Sequence, residues 1–215
     1  MSNANGWTIS VKKSIDLIPK NSSKLNWFQE IKSIPDSPPY ICVNLAFKGD
    51  IKSAGASSTN MWFMNTYDRT QGMWKFSNSN TKVPILYVSF PSLKDPKHDA
   101  GEEQMHTGEA ITFIPYEMFK QWSDTVSRKR GDDYIDLKSQ IESQVLELLK
   151  TEIPEIMKYC VYSELSTPLT AEYYINANKG AIYGLDSSPK RFNCSKLRPR
   201  TPIKNFYLSG VDIAT

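Results

Sequence analysis

The chain has 215 residues, of which 40% are hydrophobic and 23% charged, a composition typical of one folded domain with a substantial core. Its 26 basic and 23 acidic residues give a net charge of +3, which is too balanced to indicate a nucleic-acid-binding protein. Three cysteines without a Cys-x-x-Cys spacing argue against a disulfide framework and a structural zinc site, and indicate reduced thiols.

The first half of the chain predicts four strands. Residues 40–47 are rich in Ile, Val, Leu and Phe and follow the breaker S-P-P, which favours a buried strand. Residues 60–67 would place large side chains on both faces of a second strand. Apolar runs at residues 85–90 and 110–114 predict two more strands. We expect these four strands to share one sheet.

The second half predicts helices and shorter strands. A short amphipathic helix is expected over residues 115–126, and a longer one with a continuous apolar stripe over residues 132–153, whose first two acids suit a helix start. Residues 158–165 predict a strand, residues 168–174 a brief helix, and residues 206–209 the last strand. The predicted fold class is therefore α+β, with a mixed, largely antiparallel sheet and helices packed on one face.

Few residues suggest acid–base or metal chemistry. His98 and His106 lie eight residues apart in a polar segment with interspersed acids, so we expect a mobile surface loop and predict no metal site. A hydrolytic triad is disfavoured because the chain has no Gly-x-Ser-x-Gly elbow. The glycine positions form neither Gly-x-Gly-x-x-Gly nor a P-loop, so the chain has no recognisable phosphate cradle.

Two interpretations of the aromatic residues on the predicted strands stay open. Most of these residues are expected to pack in the core or at its rim. Trp62 and its neighbours are nevertheless large on both faces of one predicted strand, which suits a sheet whose second face lines a long apolar pocket.

The last eleven residues, N-F-Y-L-S-G-V-D-I-A-T, combine a short apolar run with a glycine and an acid. Glycine lets a backbone approach a ligand closely, and an acid accepts hydrogen bonds from ribose hydroxyls. Gly210 and Asp212 are therefore candidate cofactor-binding residues. The abrupt end after them leads us to expect a piece of a larger enzyme, and the opening M-S-N-A is typical of a vector remnant at residues 1–4.

Six motifs occur in the order found in a known family, namely S-L-K-D-P (92–96), F-K-Q-W (119–122), K-R-G-D-D-Y (129–134), S-T-P-L-T (166–170), K-G-A-I-Y-G (179–184) and T-P-I-K-N-F-Y-L-S-G-V-D (201–212). Over about residues 37–215 the chain resembles the C-terminal half of the retinol saturases and their relatives, the carotenoid isomerases and the bacterial phytoene desaturases. The resemblance implies an FAD-dependent oxidoreductase of the amine-oxidase-like, two-domain type that saturates, desaturates or isomerises a polyene isoprenoid such as retinol or a carotenoid.

The same resemblance assigns roles along the chain. It makes residues 5–204 a substrate-binding domain and residues 205–215 a strand that returns to an FAD-binding domain lying outside this chain. FAD is expected in the full-length enzyme and not on this chain alone, which we expect to be inactive, because a flavin needs pyrophosphate contacts from helix N-termini. No catalytic residue is predicted. The candidate substrate-binding residues are Trp62, Thr170, Tyr173 and Tyr183.

A second hypothesis is a stand-alone, non-catalytic module that uses the same apolar sheet to hold a hydrophobic ligand or a protein partner. For either hypothesis, no stretch approaches 18 consecutive apolar residues, and the N-terminus lacks the basic and then apolar pattern of a secretory leader. We therefore expect a cytoplasmic or peripherally membrane-associated protein without a nucleic-acid partner.

Overall fold

The structure is a computed structural model that describes residues 10–19, 23–68, 72–77 and 81–213, with the side chains of the second segment described from residue 26. The chain divides into two compact units. Unit 1 combines Met1–Pro39 with Leu169–Thr215, and unit 2 is Tyr40–Pro168. The predicted vector remnant, residues 1–4, lies outside the described residues.

Unit 2 is built on a five-stranded sheet. Its strands are β1 (Tyr40–Lys48), β2 (Met61–Met64), β3 (Ile85–Ser89), β4 (Met105–Phe113) and β5 (Cys160–Ser166). Their spatial order is β2-β3-β4-β1-β5, and every pairing between these strands is antiparallel. The α+β class and the shared sheet predicted from the sequence are confirmed.

The described helices are short, with one exception. In chain order they are α1 (Val11–Asp16), α2 (Gln29–Lys32), α3 (Pro91–Lys94), α4 (Asp132–Glu152), α5 (Pro154–Met157), α6 (Pro168–Ile175) and α7 (Pro189–Phe192). Short 3₁₀ segments occur at Ser23–Phe28, Tyr116–Met118, Lys120–Trp122 and Asn178–Gly180. The predicted helices at 132–153 and 168–174 are therefore confirmed within one residue.

Alternation along the strands gives the sheet two distinct faces. On β1, Ile41, Val43, Leu45 and Phe47 point to one face and are buried. Helix α4 lies against this face, where the Ser163 hydroxyl of β5 donates to its Glu142 carboxylate. We call it the helix face, and we call the other side of the sheet the opposite face.

Helix α4 forms where the sequence predicts it. The acids at its start, its apolar stripe and the proline after its end all indicate the same bounds. Asp132 and Asp133 lie in its first turn, where acids interact favourably with the helix dipole, and Pro154 follows its end. Its buried residues are Tyr134, Ile141, Val145 and Leu149. The Tyr134 hydroxyl lies 2.7 Å from the Thr167 hydroxyl, which joins the start of α4 to the end of β5.

Two local predictions are wrong. The helix expected over residues 115–126 is replaced by the two 3₁₀ turns at Tyr116–Met118 and Lys120–Trp122, and Val126 is 68% exposed. Residues 206–209 do not form a strand. They follow a turn with one isolated bridge, between Arg200 and Tyr207, which leaves the Tyr207 side chain 67% exposed while Leu208 enters the core.

Unit 1 has a small apolar core of its own. The segments around α1, α2 and α7 converge on it, and two isolated bridges, Asp36–Leu185 and Pro39–Ala181, join its two parts of the chain. The buried residues of this core include Val11, Ile15, Phe28, Ile31, Ile34, Leu185, Leu197 and Leu208.

Candidate functional site

A row of mostly apolar side chains crosses all five strands on the opposite face. The strand register pairs Trp62 with Tyr87, Tyr87 with Ile111, Ile111 with Cys42, and Cys42 with Ser166. We call these five residues the apolar row. Four inter-strand spacings of about 4.8 Å make it about 19 Å long. It begins at an aromatic edge and ends at the hydroxyl of Ser166.

The aromatic edge of the apolar row is exposed. Trp62 is 55% exposed, and its ring packs edge-on against Tyr87 with a centroid distance of 5.0 Å. Toward one end of the sheet the same face remains apolar, because Met64 pairs with Ile85 and Phe113 pairs with Tyr40. An exposed apolar surface of this kind is typical of a binding face.

Two residues along the strands from the apolar row, in the direction away from Met64 and Phe113, the opposite face becomes polar. The register places Ser89, Glu109, Asn44 and Glu164 side by side on four neighbouring strands, and we call them the polar row. The Asn44 amide donates to the Ser166 hydroxyl at 3.0 Å and to the Glu164 carbonyl at 3.3 Å. The opposite face therefore has an apolar row and, two residues along the strands, a polar row that runs beside it on β3, β4, β1 and β5.

Cys42 lies on this face, on strand β1, and its thiol is unreactive. It is only 7% exposed, and its thiol donates to the Asn44 side-chain oxygen at 3.7 Å. Burial, with a smaller contribution from the negative charge of Glu109, raises the pKa of Cys42 to about 12. The thiol stays protonated at neutral pH, so Cys42 is a buried apolar residue of this face and not a nucleophile.

A small pocket opens beside Trp62 at the edge of the sheet. Its volume is about 260 Å³, below the roughly 300–1,000 Å³ of pockets that enclose small ligands. The pocket lies between the edge strand β2 and helix α4, because residues of both line it. The pocket is lined by Trp62, Phe63, Met64, Asn65, Val83, Leu148 and Glu152.

The four predicted substrate-binding residues are divided between the units. Trp62 lies in unit 2, whereas Thr170, Tyr173 and Tyr183 lie in unit 1. Thr170 is half-buried in the first turn of α6, and Tyr173 and Tyr183 are exposed. The structure thus puts Trp62 in a defined row of neighbours, and the assignment of the other three to a substrate stays a prediction.

The acid predicted to face a cofactor, Asp212, is instead held inside unit 1. It is 5% exposed, and its two carboxylate oxygens accept hydrogen bonds from the backbone amides of Val11, at 2.9 Å, and Leu185, at 2.7 Å. Gly184 makes room for it. At φ +71°, a Cβ on residue 184 would overlap the Asp212 carboxylate.

Arg191 completes this cluster by donating to the carbonyls of Leu185 and Val211. Leu185 is thus bonded through its amide to Asp212 and through its carbonyl to Arg191. These contacts give a structural reason for the G-x-x-Y-G motif and the later Gly-x-Asp: Gly184 and Asp212 touch each other. We call Gly184, Leu185, Arg191 and Asp212 the Asp212 cluster.

The FAD role suggested for Gly210 and Asp212 fits the structure unevenly. Gly210 has φ +110° and nothing within 4 Å of the position of a Cβ, so its backbone could approach a ligand closely. The Asp212 carboxylate is already engaged by two backbone amides and does not fit the role of a ribose acceptor. The cofactor assignment of both residues stays a prediction.

The histidine segment differs from expectation. His106 was expected in a mobile loop, but it lies buried in β4, with its Nδ1 3.4 Å from the Ser92 hydroxyl. His98 is exposed, and its ring centroid lies 5.5 Å from that of His106. Within the described ranges, no group of three or more His, Cys, Asp or Glu side chains is placed to hold a metal ion.

Sequence reasoning missed most of the opposite face. Ile111, Asn44 and Glu109 were not singled out because each is unremarkable on its own strand, and Tyr87 was noted only as one of several aromatic residues on predicted strands. The available signal was alternation within β1 and β4, but knowing which residues lie side by side requires the pairing register of strands that are distant in sequence.

Comparisons with known proteins support the resemblance. The chain is 28% identical to all-trans-retinol 13,14-reductase of Danio rerio over 92% of its own length and 34% of that protein's. It is 26% identical to the protein of the same name from Rattus norvegicus over 96% of the chain and 39% of that protein. A Danio rerio protein named inactive all-trans-retinol 13,14-reductase is 24% identical over 86% of the chain.

The chain therefore spans roughly a third of the length of the curated relatives it matches. No protein-family model matches it. In the part of the chain that the structure describes, none of the helices has the length and apolar character needed to cross a bilayer. Over nearly its whole length the chain is thus similar to these reductases, and it corresponds to part of their sequence.

Proposed function

We propose that the chain is the substrate-binding part of a retinoid-related oxidoreductase and that the opposite face of its sheet contacts a polyene. The hydrocarbon would lie across the strands along the apolar row, with Trp62 at one end. The observation that carries this proposal is the row itself, in which four neighbouring strands contribute Trp62, Tyr87, Ile111 and Cys42.

The physical reason is the match between an extended apolar ligand and a straight apolar surface. A conjugated hydrocarbon is rigid, so it loses little conformational entropy when it lies on such a surface. The rings of Trp62 and Tyr87 add flat contact area, and an aromatic side chain contributes about 1.5–3 kcal/mol when it is fully buried. The names of the relatives make a retinoid the first ligand to test.

We propose further that FAD is held by parts of the protein other than the described residues of this chain. FAD, when bound, would supply the hydride chemistry that a saturase, desaturase or isomerase requires. The residues of this chain would orient the polyene and keep water from it. The neutral thiol of Cys42 suits that task because it adds no charge to the apolar row.

A non-catalytic role is the second candidate, and one specific observation favours it. A relative named as an inactive reductase is 24% identical to the chain over most of its length. Such a protein could bind a retinoid on the same face without transforming it. Whether the chain's natural protein, supplied with FAD and a reductant, converts retinol to a saturated product distinguishes the two candidates.

The binding proposal is tested by titrating the chain with all-trans-retinol and following the fluorescence of the retinoid. Replacing Trp62 with Ala is expected to weaken binding about tenfold or more, because about 1.4 kcal/mol of lost contact corresponds to a factor of ten in Kd.

The matched control is Tyr67→Ala, since Tyr67 is a fully exposed aromatic residue of the same unit outside both the apolar row and the pocket. It should leave Kd unchanged. Failure of the chain to bind retinol, or equal losses in the two variants, would contradict the proposal.

A further inference from the structure

We propose that, in the natural protein, the outer edge of strand β2 pairs with an extended apolar segment that lies outside the 215 residues of this chain. The added segment would form the sixth strand of the sheet. This concerns the assembly of the protein and does not rest on the proposed function, although a strand added at β2 would extend the opposite face beyond Trp62.

The backbone hydrogen-bonding groups of β2 point in two directions. β2 is the last strand on its side of the sheet, and β3 is its only strand neighbour among the described residues. The Asn65 amide donates to the Pro84 carbonyl at 3.2 Å, so the alternation of an antiparallel pair directs the backbone groups of Phe63 to β3 as well. The amides and carbonyls of Trp62 and Met64 therefore point away from the sheet, where a further strand can bind them.

The side chains of β2 are incompletely covered on both faces of the sheet. On the opposite face, Trp62 and Met64 are 55% and 57% exposed. On the helix face, Phe63 is only half-buried, and so is Leu148 of α4. All four residues line the small pocket between β2 and α4. This pocket is too small to enclose a typical ligand, but it can take an apolar side chain of a strand placed beside β2.

The other edge of the sheet, β5, is protected against strand addition, and β2 is not. The register of β5 with β1 shifts between Ala46 and Phe47, as at a β-bulge, and β5 carries the exposed charge of Glu164. Bulges and charges are means by which proteins prevent pairing at sheet edges. The sequence of β2, M-W-F-M, has no charged residue and no proline, and its register with β3 is regular. An apolar edge of this kind is a template for another strand.

The short length of β2 favours a covalently connected partner over a second copy of the chain. Four residues on each side are far fewer than the roughly 20–30 residues a side of a stable interface between separate proteins. A segment of the same polypeptide needs no such area, because covalent connection gives it a high effective concentration. The relatives are long enough to contain it, since the chain spans only roughly a third of their length.

The chemistry of the segment follows from the two faces of β2. Its side chains would alternate between the opposite face, beside Trp62 and Met64, and the pocket on the helix face, against Phe63 and Leu148. Both surroundings are apolar. We therefore expect a continuous apolar run, as in a strand buried on both faces, and not an alternation of polar and apolar residues.

Hydrogen exchange at single amides tests the proposal. In the chain alone, the amides of Trp62 and Met64 should exchange nearly as fast as in an unfolded peptide, whereas those of Phe63 and Asn65, which donate toward β3, should be protected. In the natural protein, exchange at Trp62 and Met64 should be at least about tenfold slower, because carbonyls of the added strand accept from these amides.

Two substitutions at Met64 separate strand pairing from burial. Met64→Pro removes an amide that points away from β3, a position where an edge strand tolerates proline, and Met64→Thr removes the apolar side chain but keeps the amide. In the natural protein, Met64→Pro should abolish the added protection at the Trp62 amide, and Met64→Thr should retain it. Circular dichroism and thermal unfolding of both variants of the chain alone establish that the sheet still folds.

Three outcomes would overturn the proposal. If Trp62 and Met64 exchange equally fast in the chain and in the natural protein, the edge is unpaired. If both amides are already protected in the chain alone, a second copy or a segment of the chain itself covers the edge. Protection at Trp62 that survives Met64→Pro would come from burial and not from a paired strand. None of these outcomes depends on whether the chain binds retinol, so the proposed function is tested separately.

Discussion

The two units of the chain are stabilised in different ways. In unit 2, backbone ladders join five strands, and the residues between them alternate between a buried face and the opposite face. In unit 1, no described residue belongs to a strand, and side chains carry much of the long-range bonding. Asp212 binds the amide of Val11, 201 positions away, and Lys13 donates to Asn176, 163 positions away.

The two units should therefore respond differently when a side chain is removed. A ladder distributes its hydrogen bonds over many residues, so one exposed side chain can be lost at little cost to the fold. In unit 1, by contrast, one carboxylate satisfies two buried amides, and those amides have no substitute when it is removed. We therefore expect side chains of the Asp212 cluster to affect stability, and exposed side chains of the opposite face to affect binding.

Replacing Gly184 with Ala is expected to reduce the stability of unit 1 more than any other substitution proposed below. Residue 184 has φ +71°, which costs a residue with a Cβ about 1–2 kcal/mol, and the added Cβ would also displace the Asp212 carboxylate. We expect the free energy of unfolding of unit 1 to fall by about 4 kcal/mol as both amide bonds are lost. Urea unfolding measures it.

A double-mutant cycle makes this prediction specific. In an Asp212→Ala background no carboxylate remains to be displaced, so Gly184→Ala should cost only the backbone strain of about 1–2 kcal/mol. Additive costs would show that the contact between Gly184 and Asp212 does not matter. Gly55→Ala is the matched control, since Gly55 also has a positive φ, +102°, but has no atom within 4 Å of a Cβ.

Asp212→Ala alone is expected to have a somewhat smaller effect. It leaves the buried amides of Val11 and Leu185 without acceptors, at a cost of about 3 kcal/mol in total. Asp212→Asn keeps one acceptor oxygen and should lose about half as much. Hydrogen exchange followed residue by residue should show faster exchange at these two amides, and unchanged exchange there would refute the structural role of Asp212.

The same contrast explains which features the sequence reveals. Strand β1 and helix α4 are predictable because each carries a local pattern, a dense apolar run in one and a stripe with acids at its start in the other. The first five residues of β4, M-H-T-G-E, have no such pattern, and they are extended because they pair with β1. Local patterns cannot reveal a strand that its partner imposes.

The end of the chain was misjudged for a related reason. The run F-Y-L at residues 206–208 is apolar enough for a strand, yet Leu208 packs into the core of unit 1 while Tyr207 stays exposed. Asp212 has the right chemistry for a ligand contact, and sequence alone could not show that two backbone amides already use it. Trp62 lies on the face opposite to helix α4, as one of the two interpretations of the aromatic residues allows, but its neighbours in the row depend on register.

A change of pH is expected to have the smallest effect on stability. It should act on unit 2 through its histidines, because both histidines of the chain lie there. Burial, and then the nearby His98 and Lys52, lower the pKa of His106, while Asp50 opposes them. The unfolded chain therefore takes up a proton first as the pH falls below about 6.5. Stability from His106 is fully present above that pH, decreases below it, and levels off under the folded pKa.

We expect the loss to be below about 1 kcal/mol between pH 7 and pH 5, and His106→Gln should remove it. Hydrogen exchange, corrected for its intrinsic pH dependence, should show reduced protection in β4 but not at the amides of Val11 and Leu185. Equal loss of protection in both units, or the same pH dependence in the His106→Gln variant, would mean that His106 does not cause a pH-dependent loss of stability in unit 2.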